Sequence, residues 1–168
     1  RRPPRSTLDR SSAASDVYKR QVWGYGAAIV QRVERAREDG IEVFADQYPY
    51  TASATGLEAA LLPRWSQSGG RDSLMARLDD PAALERIKEG MIEGLARRGG
   101  ADRIQFRRYR PNEAIEGRLL SDIAEERGQD PIDTAFELSK AGSVSSVSYN
   151  MHDKDVEVLM AQPWTMTS

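Results

Sequence analysis

The segment from Tyr25 to Ala45 constrains the fold more than any other part of the chain. Apolar residues recur there at helical spacing among charged ones, and Gly40 follows where a helix needs a left-handed stop. The apolar positions are Ile29, Val30, Val33 and Ala36. Ile41 to Ala45 comes next, with β-branched and aromatic residues and little polar alternation, which is typical of a buried parallel strand. The segment therefore predicts a helix followed at once by a buried strand.

Helical and strand patterns alternate through the rest of the chain. The pairs Asp80-Pro81 and Asp130-Pro131 each join an N-cap to a proline at the first helical position, so they predict helices over 81–97 and 131–138. The other predictions are helices over 57–62, 72–78 with Asp72 as cap, 119–127, and 153–160 with Asp153 as cap, an edge strand over 103–109, a strand over 144–149 and a flexible loop over 66–70. This alternation favours a parallel α/β sheet with helices outside it, in which functional residues gather where strands end.

Composition restricts the chemistry that the chain can perform. The 168 residues suffice for one domain. A mean hydropathy of −0.61, with no apolar run near the roughly 18 residues of a membrane span, predicts a soluble, cytoplasmic protein that does not bind membranes. A net charge of −2 gives no basic surface for nucleic acid. Since the sequence has no cysteine and one histidine, His152, we expect no self-contained zinc site.

The first 21 residues differ from the rest. Arg1 to Gln21 has six basic residues against two aspartates, a Pro-Pro pair and a serine cluster, which together predict disorder. Its stretch SSAASDVYKRQ resembles translated adaptor or vector sequence, so we expect an artefact, and a genuine basic arm is the alternative. The folded part is expected to start near Val22. No helix stop or turn follows the final PWTMTS, so we expect a truncated chain.

The stretch DQYPYTAS, from Asp46 to Ser53, directly follows the predicted strand 41–45. Its proline stiffens a turn, its tyrosines supply amphipathic surface with a hydrogen-bonding tip, and small hydroxyl residues add donors. These candidate binding residues are Tyr48, Tyr50, Thr51, Ser53 and Thr55. Such a rim could hold a small polar ligand. The alternative is that the tyrosines only cover the core and Asp46 only anchors a loop amide.

Two clusters of charged residues have simple structural explanations. His152 lies beside Asp153, but adjacent residues at a helix start face apart, so we expect Asp153 to act as the cap and Asp155 to be a solvated helix charge. Three arginines, Arg107, Arg108 and Arg110, could clamp a carboxylate. A solvated face of an edge strand is the simpler alternative for them.

Three longer motifs occur in order along the chain. They are WGYGAAIVQRVERAREDGIEVFADQYPYTASATGL, EGRLLSDIAEERGQDPIDTAFEL and NMHDKDVEVLMAQPWTMTS. Together they resemble the N-acyl-D-amino-acid deacylase (D-aminoacylase) branch of the metal-dependent amidohydrolases, and the resemblance covers Val22 to Ser168.

That resemblance implies a partial (β/α)8 TIM barrel over 22–168, made of late strands and helices, with 63–100 as a helical insertion or flap. In the complete enzyme, zinc activates a water for attack on an amide carbonyl. The family's histidine ligands lie upstream of Val22, and its metal-side aspartate belongs to an SDG-type motif that would begin just beyond Thr167. The resemblance therefore implies no metal ligand and no catalytic residue in this chain.

The resemblance also implies which residues contact the substrate. Tyr48, Tyr50, Ser53 and Thr55 would face it, and Met151 would border the acyl side-chain pocket. Ala54 departs from the family, which often carries a second small hydroxyl residue at this position, so hydrogen bonding there is in doubt.

We therefore expect a fragment of a zinc-dependent amidohydrolase that cleaves the amide bond of N-acyl-D-amino acids and is inactive by itself. Its expected partners are a small N-acyl amino acid substrate and the remainder of its own barrel. The alternative is a non-catalytic α/β module that binds a small ligand or another protein through the tyrosine-lined end.

Overall fold

The computed structural model describes residues 23–167, and the stretch 1–21 that is predicted to be disordered lies outside the described residues. The described chain divides into two compact units. Unit 1 combines 23–50 with 151–167, and unit 2 is 51–150. Unit 2 is therefore inserted, along the chain, between the two halves of unit 1.

The elements run through both units in chain order. The helices are α1 Gly26–Glu38, α2 Leu57–Leu61, α3 Arg64–Gln67, α4 Gly70–Asp79, α5 Pro81–Arg98, α6 Leu120–Arg127, α7 Pro131–Ala141 and α8 Asp153–Met160. The strands are β1 Ala45–Gln47, β2 Ser53–Gly56, β3 Ile104–Arg108, β4 Ser145–Ser148 and β5 Thr165–Thr167. No helix within 23–167 is both long enough and apolar enough to cross a bilayer.

Unit 1 consists of two helices and a pair of parallel strands. Helix α1 packs against α8. Strand β1 pairs in parallel with β5, and Gln47 is level with Thr167 at the carboxyl ends. Because the chain passes from β1 through unit 2 and α8 before it reaches β5, unit 1 contains a strand–helix–strand connection of the kind that builds α/β proteins.

Unit 2 packs helices against a three-stranded antiparallel sheet in the order β2-β4-β3. Its hydrophobic core is formed by large side chains from both layers, including Leu57, Leu61, Ile87, Met91, Phe106, Leu120 and Val144. Helices α2 and α5 approach closely at Gly94, where an added Cβ would lie 2.6 Å from the Leu61 carbonyl oxygen. Only glycine permits this approach.

The predicted helices are confirmed, with small changes at their ends. Helix α5 begins at Pro81, with the Asp80 carboxylate accepting the N–H of Ala82, and it ends before Gly99, which is left-handed at φ 96°. Helix α4 is an exception at its start, because its N-cap is Gly69 and Asp72 lies inside the first turn. The edge position of β3 is also confirmed.

The strand predicted over Ile41–Ala45 is wrong in position. Strand β1 begins only at Ala45, while Ile41 and Phe44 are 43% and 59% exposed. Among the described residues β5 gives backbone partners to Ala45–Gln47 alone. The segment before β1 is instead held by Arg37, whose guanidinium donates to the Val43 carbonyl at 2.6 Å.

The predicted parallel sheet holds for β1 and β5 but is wrong for unit 2, whose strands are antiparallel.

The predicted loop 66–70 is also wrong at its start, since Ser66 lies in α3 and is buried. Its hydroxyl donates to the Pro63 carbonyl at 2.7 Å, and Arg77 donates to the carbonyls of Ser66 and Ser68. Side-chain bonds from a neighbouring helix thus order this segment. Residues 23–167 form no closed barrel.

Candidate functional site

The candidate site of unit 1 lies where β1 ends. Because β1 and β5 are parallel and in register, their carboxyl ends are neighbours, with Gln47 opposite Thr167. Tyr48 follows β1 immediately, so this strand ends two residues later than the strand predicted over 41–45. Neighbouring carboxyl ends of parallel strands are the usual place for ligands in α/β proteins.

Tyr48 and Tyr50 form an edge-to-face pair at this end. Their ring centroids are 5.0 Å apart, with the ring planes at 68°. Gln47, the last residue of β1, is buried, and its side-chain amide donates to the Tyr48 carbonyl at 2.9 Å. This bond holds the backbone where β1 leads into the tyrosine pair. Tyr48 is 39% and Tyr50 58% exposed, so both side chains are accessible to a ligand.

The other predicted contacts are divided between the units. Ser53 and Thr55 lie on β2 in unit 2, where the Ser53 hydroxyl donates to Asn150 Oδ1 at 3.1 Å and the Thr55 carbonyl accepts from Ser146 at 3.2 Å. Met151 belongs to unit 1 and is 5% exposed. Tyr48 and Tyr50 are the members that the structure brings into contact, and substrate binding by all five stays a prediction.

Asp155 has a role that the sequence does not reveal. It is buried, and its carboxylate accepts hydrogen bonds from Gly24 N at 2.7 Å and Gly26 N at 2.9 Å, at the start of α1. The predicted solvated charge is therefore wrong for this residue. Its partners lie about 130 positions earlier in the chain, so no local pattern indicates the contact.

The predicted cap of α8 is also wrong. His152 occupies the N-cap position, and Asp153 is the first helical residue. Among residues 23–167, Asp153 accepts the N–H of Lys154 alone, at 2.9 Å. His152 Nδ1 is 3.6 Å from Asp155 Oδ2, and its ring lies 5.8 Å from that of Trp23. These contacts place His152 in the packing of α8 against the start of α1.

A cleft of about 700 Å³ lies wholly within unit 2. Its lining includes two of the three arginines predicted to clamp a carboxylate, Arg108 and Arg110, but not Arg107. The full lining is Gly56, Glu58, Arg108, Arg110, Pro111, Gly142, Ser143, Val144 and Ser145.

Glu58 is the acidic member of this lining. Burial raises the pKa of its carboxyl group above the ordinary 4.5, while a backbone hydrogen bond and the charge of Arg71 oppose the rise. The nearest nitrogen of Arg71 is 3.9 Å from Glu58 Oε1. The raised pKa weakens the negative charge that Glu58 contributes to the cleft at mildly acidic pH.

The described residues do not fit a metal centre by themselves. Between Trp23 and Thr167, no three or more histidine and carboxylate side chains lie close enough together to hold an ion.

Comparison with known proteins shows similarity at the level of structure. No protein-family model and no curated protein matches the chain. An N-acyl-D-glutamate deacylase from Bordetella bronchiseptica, complexed with zinc and a phosphonate mimic of the tetrahedral intermediate, is 23% identical, with a TM-score of 0.53. A D-aminoacylase that defines a novel subset of amidohydrolases and a D-aminoacylase studied for its binuclear metal centre are each 22% identical, with TM-scores of 0.53.

Each of these matches covers 89% of this chain but 23% of the other protein, so the chain spans about a quarter of the length of the structures it matches. The shared part is a mixed α/β arrangement. The chain therefore has the fold of one portion of the D-aminoacylase structures.

Proposed function

We propose that this chain is part of a metal-dependent amidohydrolase that cleaves the amide bond of N-acyl-D-amino acids. The proposal rests on the parallel pairing of β1 and β5. The carboxyl ends of the two strands are level, so the Tyr48–Tyr50 pair that follows β1 lies beside the carboxyl end of β5. This arrangement is expected of two successive strands in a (β/α)8 barrel. The fold match to deacylase structures supports the same reading.

The chain's own contribution is to bind and orient the substrate. The phenol groups of Tyr48 and Tyr50 are accessible donors for the carboxylate or acyl oxygen of an N-acyl amino acid. Ser53, Thr55 and Met151 are proposed as further contacts, although the Ser53 hydroxyl already donates to Asn150 and is left to accept. Zinc, held by residues outside 23–167, would supply an activated water when bound.

The test uses the longer gene product that contains this chain, loaded with zinc. We expect it to hydrolyse N-acetyl-D-amino acids in preference to the L enantiomers and to lose activity with a chelator. Tyr48→Phe and Tyr50→Phe should each lower kcat/KM about tenfold, the value of one lost hydrogen bond to a charged group. Tyr25→Phe is the control, since Tyr25 is about as exposed as Tyr50 but precedes α1.

Two results would overturn the proposal. One is saturable binding of the N-acyl amino acid without hydrolysis by the zinc-loaded protein, which would establish the non-catalytic binding module. The other is an equal loss in all three tyrosine variants, which would show that the strand end has no special contact with the substrate.

A further inference from the structure

We propose that unit 2 carries a binding site for a small multivalent oxyanion, held by Arg108 and Arg110 in the 700 Å³ cleft. Phosphate groups and dicarboxylates share this chemistry. The site is formed wholly by residues 56–145 of unit 2, so it stands whether or not the proposed deacylase function is correct.

The two arginines flank a residue that is fixed in the core of unit 2. Tyr109 is buried, its N–H donates to Glu116 Oε1 at 2.7 Å, and its hydroxyl donates to the Leu138 carbonyl at 3.3 Å. Tyr109 directly follows β3, whose register with β4 shifts between Phe106 and Arg108. With Tyr109 fixed in the core, the residues before and after it, Arg108 and Arg110, both line the cleft.

The two guanidinium groups have unused hydrogen-bonding capacity. Within the described residues neither forms an ion pair or a side-chain hydrogen bond. Other arginines of unit 2, such as Arg71, Arg118 and Arg127, are each paired with a glutamate. A guanidinium donates in a planar fork that matches two oxygens of one anion, so two of them in one cleft favour an anion with several charged oxygens.

The rest of the lining suits a small polar ligand. Ser143 and Ser145 add hydroxyl groups, and Gly142 lets the backbone pass close to Pro111, where an added Cβ would lie 2.6 Å from the proline Cγ. The cleft volume falls in the range of roughly 300–1,000 Å³ that is usual for small-molecule sites.

Glu58 makes the site sensitive to pH. One of its carboxylate oxygens is buried without a hydrogen-bond partner among the described residues. The charge of Arg71, from α4, acts on this carboxylate, and Arg108 and Arg110 line the same cleft. Because burial raises the pKa of Glu58, its own repulsion of a bound anion decreases as pH falls towards the carboxyl range.

The experiment titrates the full chain with sodium phosphate, succinate and acetate at pH 7.5 and low salt, followed by calorimetry. We expect saturable binding of phosphate and succinate, and an affinity for acetate that is at least tenfold weaker. Acetate carries one charge and satisfies one guanidinium, and each charge-assisted contact contributes about tenfold to the affinity. Tighter binding of phosphate would identify a phosphate-bearing ligand, and tighter binding of succinate a dicarboxylate.

Four variants locate the site. Arg108→Gln and Arg110→Gln should each weaken binding roughly five- to tenfold, the loss of one charge-assisted contact at an accessible site. Arg107→Gln, which removes the same charge from the neighbouring residue outside the cleft, should leave affinity unchanged. Glu58→Gln should tighten binding at pH 7.5, because it removes a negative charge from the lining of the cleft.

Circular dichroism and the urea midpoint confirm that each variant is folded. The proposal is overturned if the wild type shows no saturable binding or if acetate binds as tightly as phosphate. It is also overturned if Arg107→Gln weakens binding as much as the other two changes, since general charge attraction would then explain it.

Discussion

Asp155 joins two helices that are far apart in the chain. Its carboxylate accepts two backbone N–H groups at the start of α1, from Gly24 and Gly26, at 2.7 and 2.9 Å. An ionised acceptor at this position satisfies donors that have no partner inside the helix and complements the positive end of its dipole. Tyr25, the N-cap residue, provides no side-chain cap for α1. Asp155, which lies on α8, caps the start of α1 instead.

Asp155→Ala should therefore lower the free energy of unfolding by about 2 kcal/mol, since it leaves two donors without an acceptor. Asp153→Ala is the matched control on the same helix. Asp153 is exposed and accepts from its neighbour Lys154, so its loss should cost less than about 0.5 kcal/mol. Urea denaturation measures both values, and equal effects would show that Asp155 does not anchor α1.

Glu58 gives the stability of the chain a defined dependence on pH. Burial raises the pKa of its carboxyl group above 4.5, so the folded state binds this proton more tightly than the unfolded state. The resulting stabilisation is fully present below pH 4.5 and is lost as pH rises through the higher folded pKa.

Glu58→Gln should remove this dependence. From pH 4.5 upward, the urea midpoint of the wild type should fall relative to that of the variant. Glu93→Gln is the control, because Glu93 is exposed and forms an ion pair with Arg97 at 3.7 Å on the same helix. A parallel course of the wild-type and Glu58→Gln curves would contradict the prediction.

Among the secondary-structure elements, α2 and α5 depend on the absence of a side chain at Gly94. Alanine is a better helix former than glycine by about 1 kcal/mol, so propensity alone favours Gly94→Ala. The added Cβ would lie 2.6 Å from the backbone oxygen of Leu61, which cannot move independently of α2.

We expect Gly94→Ala to lower the free energy of unfolding by roughly 1–3 kcal/mol, because overpacking of a buried contact outweighs the gain in propensity. Glu93→Ala, at the exposed neighbouring position of the same helix, should change it by less than about 0.5 kcal/mol. Thermal unfolding followed by circular dichroism measures both, and a higher Tm for Gly94→Ala would disprove the close approach.

Helices could be predicted from the sequence because their signals are local. The Asp130 carboxylate accepts the N–H of Ile132 at 2.7 Å, and Gly128 is left-handed at φ 61°, as Asp-Pro and glycine signals indicate. Strands depend on partners that no local pattern reveals. β2 carries the residues SATG and is defined by pairing with β4, about 90 residues later, so it was missed.

The same difference applies to the candidate site. The tyrosine pair at the end of β1 could be predicted, because tyrosines and proline after a strand are a local signal. The cleft of unit 2 could be predicted only in part. Arg108 and Arg110 are visible in the sequence as a basic cluster. Glu58, about 50 residues before this cluster, and Ser145, about 35 residues after it, line the same cleft, and no local pattern indicates this.

At the scale of the whole molecule, the connections of unit 2 are those of an inserted domain. Its first and last strands are neighbours, with Ser53 paired to Ser148 and hydrogen-bonded to Asn150. The chain therefore enters and leaves unit 2 at adjacent positions, as inserted domains usually require. Strands β1 and β5 pair with each other and with no strand of unit 2 among the described residues. The helical insertion predicted over 63–100 lies inside unit 2 and stays a prediction.

Residues 51–150 should consequently fold when expressed alone. The residues of the main hydrophobic core all lie between Leu57 and Val144, so the fragment keeps the burial that stabilises it. We expect a cooperative urea transition, and slow amide exchange at core positions such as Phe106 that matches the full chain. Phe106→Ala should destabilise the fragment by about 3–5 kcal/mol, whereas Ile92→Ala, at an exposed position, should have little effect. A gradual transition with dye binding to exposed apolar surface would show instead that unit 2 needs the rest of the chain to fold.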